Sequence, residues 1–101
     1  MLKEPKISII TVVFNDSKGL EKTIQNIINQ TYSNIEHIVI DGASTDGTID
    51  IIKKYESKIA HWVSEPDESH FDATNKGVDL ATGQGINIMN AGDVFFFQQS
   101  G

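Results

Sequence analysis

The sequence predicts an α/β fold in which a mostly parallel β-sheet lies between two layers of helices. Short apolar runs typical of strands alternate with segments of helical periodicity, in the order β-α-β-α-β-α-β. The first run, residues 6–14 (KISIITVVF), is rich in β-branched residues, as in a strand that is buried on both faces. Strands that alternate with helices are joined by right-handed crossovers, which gives a three-layer α/β/α arrangement.

The first helix is expected over residues 18–30. The turn before it offers three candidates for its N-cap, Asn15, Asp16 and Ser17. Apolar side chains then recur at helical spacing and give the helix one apolar face: Leu20, Ile24, Ile27 and Ile28.

The second and third strands are expected at residues 35–41 (IEHIVID) and 59–64 (IAHWVS). A loop of small residues, 42–47 (GASTDG), leads from the second strand into a short helix. That helix is marked by three apolar side chains, Ile49, Ile52 and Tyr55. Asp46 stands just before it and is expected to order the loop and start the helix.

The third helix and the fourth strand complete the pattern. Four side chains are predicted to form the inward face of that helix: Phe71, Thr74, Val78 and Ala81. Residues 81–83 (ATG) end the helix, and residues 85–89 are expected to form the fourth strand.

Composition is typical of one small globular domain. The chain has 101 residues, of which 39% are hydrophobic and 22% are charged. It has no cysteine, which excludes disulfides, thiolate zinc sites and a cysteine nucleophile. No apolar run approaches the ~20 residues that cross a bilayer, and no signal peptide precedes Ile7. The expected location is therefore the cytoplasm.

The distribution of charge points to a bound cation. The net charge of −6 argues against nucleic acid as a partner. All eight basic residues are lysines, and seven of them lie at or before Lys58. Beyond that position Lys76 opposes a surplus of acids: Glu65, Asp67, Glu68, Asp72, Asp79 and Asp93. An anionic ligand bound here would need a bridging cation; the alternative is a solvated acidic surface.

Two aspartates stand at predicted strand ends, where parallel sheets bind ligands. Asp41 can accept a hydrogen bond from a ribose hydroxyl or a base N–H, or it can cap the next helix. Asp93, in the turn N-A-G-D, can give one oxygen ligand to Mg²⁺ or Mn²⁺, which usually keep several water or phosphate ligands. The alternative for Asp93 is an ordinary turn residue.

Other polar residues give weaker signals. Lys76 could meet a phosphate as a point charge or be solvated. His37 and His61 fall inside predicted strands and are expected in the core or on a sheet face. His70 has no second histidine at ligand spacing, so no histidine metal site is expected. The motifs G-x-G-x-x-G, G-x-x-x-x-G-K and G-x-S-x-G are absent, which removes the usual dinucleotide, P-loop and hydrolase interpretations.

A series of segments, in order, resembles glycosyltransferase family 2. The segments are residues 9–15 (IITVVFN), 30–32 (QTY), 38–48 (IVIDGASTDGT), 64–67 (SEPD), 72–77 (DATNKG), 81–83 (ATG) and 90–93 (NAGD). The resemblance covers nearly the whole chain. Within the family, the chain is similar to bacterial transferases of capsule, colanic-acid and other exopolysaccharide synthesis. It implies the GT-A fold with its Rossmann-like nucleotide-binding half.

The resemblance also implies a binding site for a nucleoside-diphosphate sugar. It places Thr11, Phe14 and Asn15 around the base, and it makes Asp41 the partner of the base or ribose. It implies that four further residues line the donor side: Asp67, Asp72, Asn75 and Lys76. The turn 90–93 would be the equivalent of a D-x-D motif, with Asp93 as its carboxylate and Mg²⁺ or Mn²⁺ as its cation.

By the same resemblance, residues 1–101 are one partial domain, the N-terminal nucleotide-sugar-binding half. Family members carry the acceptor site and the general base in a later half that is absent here, so no catalytic residue is assigned. The implied acceptor is a saccharide or a lipid-linked hydroxyl. The full enzyme would be cytoplasmic and peripheral at the inner face of the membrane.

Two alternatives remain at this point. Asn90 and Gly92 stand where many members carry acids, which favours a truncated or degenerate module that binds a nucleotide or a partner without catalysis. A receiver-like signalling domain would need paired acids after the first strand, where only Asp16 is found. Phe95, Phe96 and Phe97 predict an exposed aromatic patch and a homo-oligomer formed through the C-terminal end.

Overall fold

The computed structural model describes residues 4–94, in which four parallel strands form one sheet. The strands are β1 (Ile7–Val13), β2 (Ile35–Asp41), β3 (His61–Ser64) and β4 (Gly85–Asn90), in the spatial order β3-β2-β1-β4. β1 pairs with β2 on one side and with β4 on the other. The predicted parallel sheet is therefore confirmed, and the strand order reverses between β1 and β4.

Three helices cover the two faces of this sheet: α1 (Ser17–Ile28), α2 (Thr48–Lys54) and α3 (His70–Leu80). A 3₁₀ turn at Glu56–Lys58 follows α2. α1 and α2 pack against one face, where the core contains Val13, Leu20, Ile24, Val39, Ile52 and Ile59. α3 packs against the other face, over Ile10, Ile38 and Ile40. The predicted α/β/α layering is confirmed.

The helices begin where short polar side chains cap them. Asp16 accepts a hydrogen bond from the backbone N–H of Gly19 at 3.0 Å and caps α1. Asp46 accepts from the backbone N–H groups of Ser17 and Thr48, both at 3.1 Å, so it ties the start of α1 to the start of α2. The expected role of Asp46 in ordering the loop is confirmed.

The predicted inward face of α3 is wrong at two positions. Ala81 packs against the sheet, but Phe71 is 75% exposed and Val78 is 39% exposed. The buried residues of α3 are Ala73 and Gly77 instead. A Cβ on Gly77 would lie 2.4 Å from Cγ2 of Ile10, so the helix sits too close to the sheet for a larger side chain. The helical spacing of apolar residues predicted the larger side chains as the inward face. The short distance between α3 and the sheet instead leaves room only for small residues.

The strand boundaries differ slightly from those expected. β3 begins at His61 rather than at residue 59, because the N–H of Ile59 donates to Glu56 O and closes the 3₁₀ turn. β4 extends to Asn90. No helix within residues 4–94 has the length and apolarity to cross a membrane. The predicted packing of Phe95, Phe96 and Phe97 lies outside the described residues.

Candidate functional site

A pocket of about 430 Å³ opens at the carboxyl edge of the sheet, on the side of α3. The carboxyl ends of β1, β2 and β4 and the start of α3 contribute to it, as expected for a parallel α/β sheet. The lining residues are Val12, Val13, Phe14, Gly42, Pro66, Asp67, Ser69, His70, Ala73 and Asn90. The volume and the mixed lining are typical of a site for a small molecule.

Two of the predicted site residues, Phe14 and Asp67, line this pocket. Phe14 follows β1 and is 65% exposed, so its ring has a free face for stacking. Gly42 lies between the two side chains: a Cβ there would be 3.2 Å from Oδ2 of Asp67 and 3.3 Å from Cδ1 of Phe14. The absence of a side chain at position 42 therefore lets an aromatic ring and a carboxylate approach each other on the same wall.

Asp41 lies directly behind this wall and has no exposed surface. Its Oδ2 accepts from the backbone N–H of Ser44 at 3.0 Å and from the Ser64 hydroxyl at 2.7 Å, and its Oδ1 accepts from the Ser44 hydroxyl. The carboxylate therefore joins the end of β2, the loop after it and the end of β3. A ligand that bonds to Asp41 would use the one remaining acceptor position on Oδ1 or take the place of a serine hydroxyl.

Asn15 also holds the loop after β2. Its side-chain oxygen accepts from the backbone N–H of Thr45 at 2.8 Å, and its own N–H donates to the Ser44 hydroxyl at 2.7 Å. Asn15 and Ala43 both have a positive φ, 49° and 65°, which is costly for residues other than glycine. The hydrogen bonds of the loop hold this backbone conformation in place beside the pocket.

Lys76, Asp72 and Asp67 form one ionic cluster with Glu65. Nζ of Lys76 lies 2.6 Å from Asp67, 3.1 Å from Glu65 and 3.4 Å from Asp72. The hydrogen bond that Lys76 donates to Asp67 raises the pKa of Lys76, outweighing the opposing effect of burial. Of these residues Asp67 lines the pocket, whereas Lys76 and Asp72 stand behind it.

The predicted metal turn is anchored to α1. The Thr23 hydroxyl donates to the backbone oxygen of Asp93 at 2.8 Å and accepts from the N–H of Gly92 at 2.9 Å. Oδ2 of Asp93 accepts from the N–H of Asn90 at 3.0 Å. Asn90 reaches the pocket, while the Asp93 carboxylate lies beside it and is exposed.

The donor atoms fit a cation that is shared with a ligand. Within residues 4–94 no group of three or more His, Cys, Asp or Glu side chains converges as a metal cage. Asp93 can still supply one hard oxygen, and Mg²⁺ and Mn²⁺ accept phosphate and water oxygens as their remaining ligands. The turn of residues 90–93 thus offers one carboxylate to such a cation.

Two predicted residues lie away from the pocket. Thr11 has no exposed surface, and its hydroxyl lies 2.8 Å from Nε2 of the buried His37, because odd-numbered side chains of β1 point to the layer of α1. Asn75 is exposed on α3 and does not line the pocket. His37 is a core residue, as expected, whereas His61 is on a sheet face with its side chain 46% exposed.

Among the polar residues of the pocket lining, sequence reasoning missed Ser69 and His70. Ser69 caps α3 by accepting from the backbone N–H of Asp72, and the capping pattern S-x-x-D could have located this helix start. Placing that helix end at the edge of the sheet would then have brought Ser69 and His70 to the pocket.

The family follows from comparison with known sequences. The sequence profile described as Glycosyl transferase family 2 matches residues 8–99, nearly the whole chain. The chain belongs to glycosyl transferase family 2. This confirms the family that the sequence segments resemble, and the match includes every predicted site residue.

Similar curated proteins are named as glycosyltransferases. An uncharacterized glycosyltransferase of Mycobacterium tuberculosis is 40% identical over 96 residues, which is 94% of this chain and 37% of the relative. A PGL/p-HBAD biosynthesis glycosyltransferase of Mycobacterium bovis is 35% identical over 97 residues, 91% of this chain and 37% of the relative. The chain thus spans just over a third of the length of these relatives.

A solved mannosyltransferase structure agrees with the fold. The mannosyltransferase PcManGT of Pyrobaculum calidifontis, in complex with GDP-Man and Mn²⁺, superposes with a TM-score of 0.83 at 27% identity. The match covers 92% of this chain and 29% of that protein. The sheet and helices described above are accordingly those of a GT-A glycosyltransferase.

Proposed function

We propose that residues 1–101 form a partial domain, the donor-binding half of a glycosyltransferase that moves a sugar from a nucleoside-diphosphate sugar to an acceptor hydroxyl. The observation that carries this proposal is the pocket at the carboxyl edge of the sheet, with an aromatic ring and a carboxylate on one wall and the turn of Asp93 beside it. The complex of PcManGT with GDP-Man and Mn²⁺ supports the same ligand class.

Phe14 and Asp67 would make the direct contacts with the donor. The exposed face of Phe14 suits a nucleobase, and the Asp67 carboxylate suits hydroxyl or N–H donors of the nucleoside or sugar. Asp41 would accept from the base or ribose, with the ligand taking the place of the Ser44 hydroxyl. Asn15 would keep the loop that carries Ser44 in position.

Mg²⁺ or Mn²⁺ would offset the charge of the diphosphate. The acids around the pocket would repel a bare diphosphate, and Asp93 would hold a cation that offsets this repulsion. A cation bound there supplies Lewis-acid stabilisation of the leaving nucleoside diphosphate. The Thr23 hydroxyl would fix the backbone of the turn on which Asp93 is carried.

The acceptor would be a saccharide or lipid-linked hydroxyl in bacterial polysaccharide synthesis, and the protein would act in the cytoplasm at the inner face of the membrane. The general base for the acceptor is not assigned to any residue of this chain. Asn90 and Gly92, in place of acids at the metal turn, favour one alternative: a module that binds a nucleotide or a partner without catalysis.

Calorimetric titration with UDP and with GDP, first in Mn²⁺ and then in a chelator, tests the proposal. We expect binding of one nucleotide in Mn²⁺ and a large loss of affinity, with weak residual binding, in the chelator. Two exposed phenylalanines provide a matched pair, since Phe14 lines the pocket and Phe71 does not. Phe14→Ala should weaken binding roughly tenfold, in line with a lost stacking contact. Phe71→Ala should leave binding unchanged; equal effects of the two changes would contradict the site.

A further inference from the structure

Lys76 uses its charge inside the protein. Its ammonium lies within 3.4 Å of oxygens from Glu65, Pro66, Asp67 and Asp72, and an ammonium has only three N–H donors. The side chain is 22% exposed and is not part of the pocket lining. Its donors are therefore already engaged on the side of α3 that faces the loop, and none is left to bind a phosphate in the pocket.

The loop that Lys76 contacts is a wall of the pocket. Pro66 and Asp67 both line the pocket, and Oδ1 of Asp67 is the nearest partner of Lys76, at 2.6 Å. The loop is fixed at its start, where the N–H of Glu65 donates to Asp41 O at 3.0 Å, and again where the N–H of Glu68 donates to Asp72 at 3.2 Å. Lys76 holds the stretch between these two points.

The segment of α3 that carries Lys76 is tightly packed against the sheet. Gly77, the next residue, is pressed against Ile10, and Ala73 is 1% exposed in the same layer. The backbone of α3 at Lys76 therefore has little freedom relative to β1. A cation on this rigid helix can fix three carboxylates that would otherwise repel one another.

We propose that Lys76 is a positioning residue for the donor pocket: it fixes the Asp67 carboxylate at the pocket wall and holds the loop of residues 65–68, without touching the donor itself. The inference rests on the proposed function for the role of Asp67 in binding. The fixing of the loop by Lys76 stands on the ion pairs alone.

Hydrogen exchange on the protein without added nucleotide tests the fixing of the loop. Lys76→Gln should make the backbone amides of Glu65, Asp67, Glu68 and Ser69 exchange roughly tenfold faster, because the wall loses its cation. Lys76→Arg, which keeps the charge and can pair with carboxylates, should restore most of the protection. Lys54→Gln is the matched control: it removes an equal charge and a 2.8 Å ion pair with Glu21 on the opposite face of the sheet. Unchanged exchange in Lys76→Gln would overturn the proposal.

A double-mutant cycle separates positioning from direct contact. If Lys76 acts through Asp67, Lys76→Gln and Asp67→Asn should each weaken nucleotide binding in Mn²⁺ roughly tenfold, and the double variant should be little weaker than either. If the losses of affinity in the two single variants multiply in the double variant, Lys76 contacts the ligand independently of Asp67. That result would overturn the inference. A wild-type protein that binds no nucleotide would refute the proposed function, and the exchange experiment would still decide whether Lys76 fixes the loop.

Discussion

β2 carries a buried carboxylate near each end, and the two carboxylates have different surroundings. Glu36, near the start, is 8% exposed and accepts from the Ser8 hydroxyl and from the backbone and side chain of Thr82, all at 2.8 Å. Asp41, at the end, has no exposed surface and accepts from Ser44 and Ser64. Both are satisfied by hydroxyl and N–H groups, yet only Asp41 lies beside the pocket.

The difference between them lies in what their partners carry. The partners of Glu36 connect β1 with the turn between α3 and β4, where Gly83 also donates from its N–H to Ser8. That turn is part of the scaffold. The partners of Asp41 belong to the loop behind the pocket wall. A buried carboxylate is therefore not by itself a sign of function; its neighbours decide between a structural and a binding role.

The largest expected effect concerns stability at the start of β2, at His37. Burial lowers the pKa of His37 from 6.5 to about 4, so the unfolded chain binds a proton that the folded protein refuses. The buried, neutral His37 carries no cost to the free energy of unfolding above pH 6.5. Stability is lost as the pH falls from 6.5 towards 4. The loss should be about 3 kcal/mol across that window. Urea unfolding of His37→Gln should show a much flatter pH dependence.

The wild-type protein, measured in parallel, is the reference, and its free energy of unfolding should fall steeply between pH 6.5 and pH 4. An equally steep acid loss in His37→Gln would show that the burial of His37 is not its cause.

Glu36→Gln should be the next largest change, with a loss of about 2 kcal/mol from weakened charge-assisted hydrogen bonds. Burial acts to raise the pKa of Glu36, but hydrogen bonds from Thr82 and Ser8 and the charge of Lys6 outweigh it and lower the pKa. The stabilisation from Glu36 is thus present at pH values above its pKa in the unfolded chain. It is lost as the pH falls through its lower pKa in the folded protein. Chemical unfolding at neutral pH measures the loss, and nucleotide affinity should not change.

Asp41→Ala sharpens the comparison from the other end of the strand. We expect nucleotide affinity to fall by about 1.5 kcal/mol, roughly tenfold, in Mn²⁺ and in chelator alike, because the contact is with base or ribose. Calorimetry well below the unfolding temperature measures it. Ser44→Ala should bind at least as tightly as the wild type, since the ligand replaces that hydroxyl. Weaker binding by Ser44→Ala would show that Asp41 acts by ordering the loop.

Asp93→Asn should give the smallest effect, a loss of roughly threefold to tenfold in affinity that appears only when Mn²⁺ is present. The reason is that one protein carboxylate among phosphate and water ligands contributes part of the binding of the cation. Titration in Mn²⁺ and in chelator separates the two contributions. Thr23→Val, which removes the anchor of the same turn, should reproduce part of the loss; an effect of Asp93→Asn that persists in chelator would contradict the metal role.

Much of the fold could be predicted because it depends on local patterns. The β-branched run of β1 and the apolar spacing of α1 identify their own secondary structure. Alternation of strands and helices then fixes a parallel sheet, since crossovers are right-handed. The inward face of α3 was beyond this reasoning, because the approach of Gly77 to Ile10 involves residues far apart in the sequence.

The candidate site was predictable in position and only partly in detail. Strand ends located Phe14, Asp41 and the turn of Asp93 at one edge of the sheet. The direction of each side chain depended on its partners: Thr11 turned to His37, and Lys76 turned to Asp67 rather than to the pocket. Such partners come from other segments of the chain, and no spacing rule reveals them.

By itself, the sequence determined the order of elements, the layered architecture, the family and the edge of the sheet that carries the site. These follow from periodicity, turn chemistry and short motifs, all of which act between near neighbours in the chain. Tertiary structure alone decided which carboxylate joins the scaffold and which stands behind the pocket. Glu36 and Asp41 are both acidic residues of one strand, and only the groups that fold against them, Thr82 and Ser44, give them different roles.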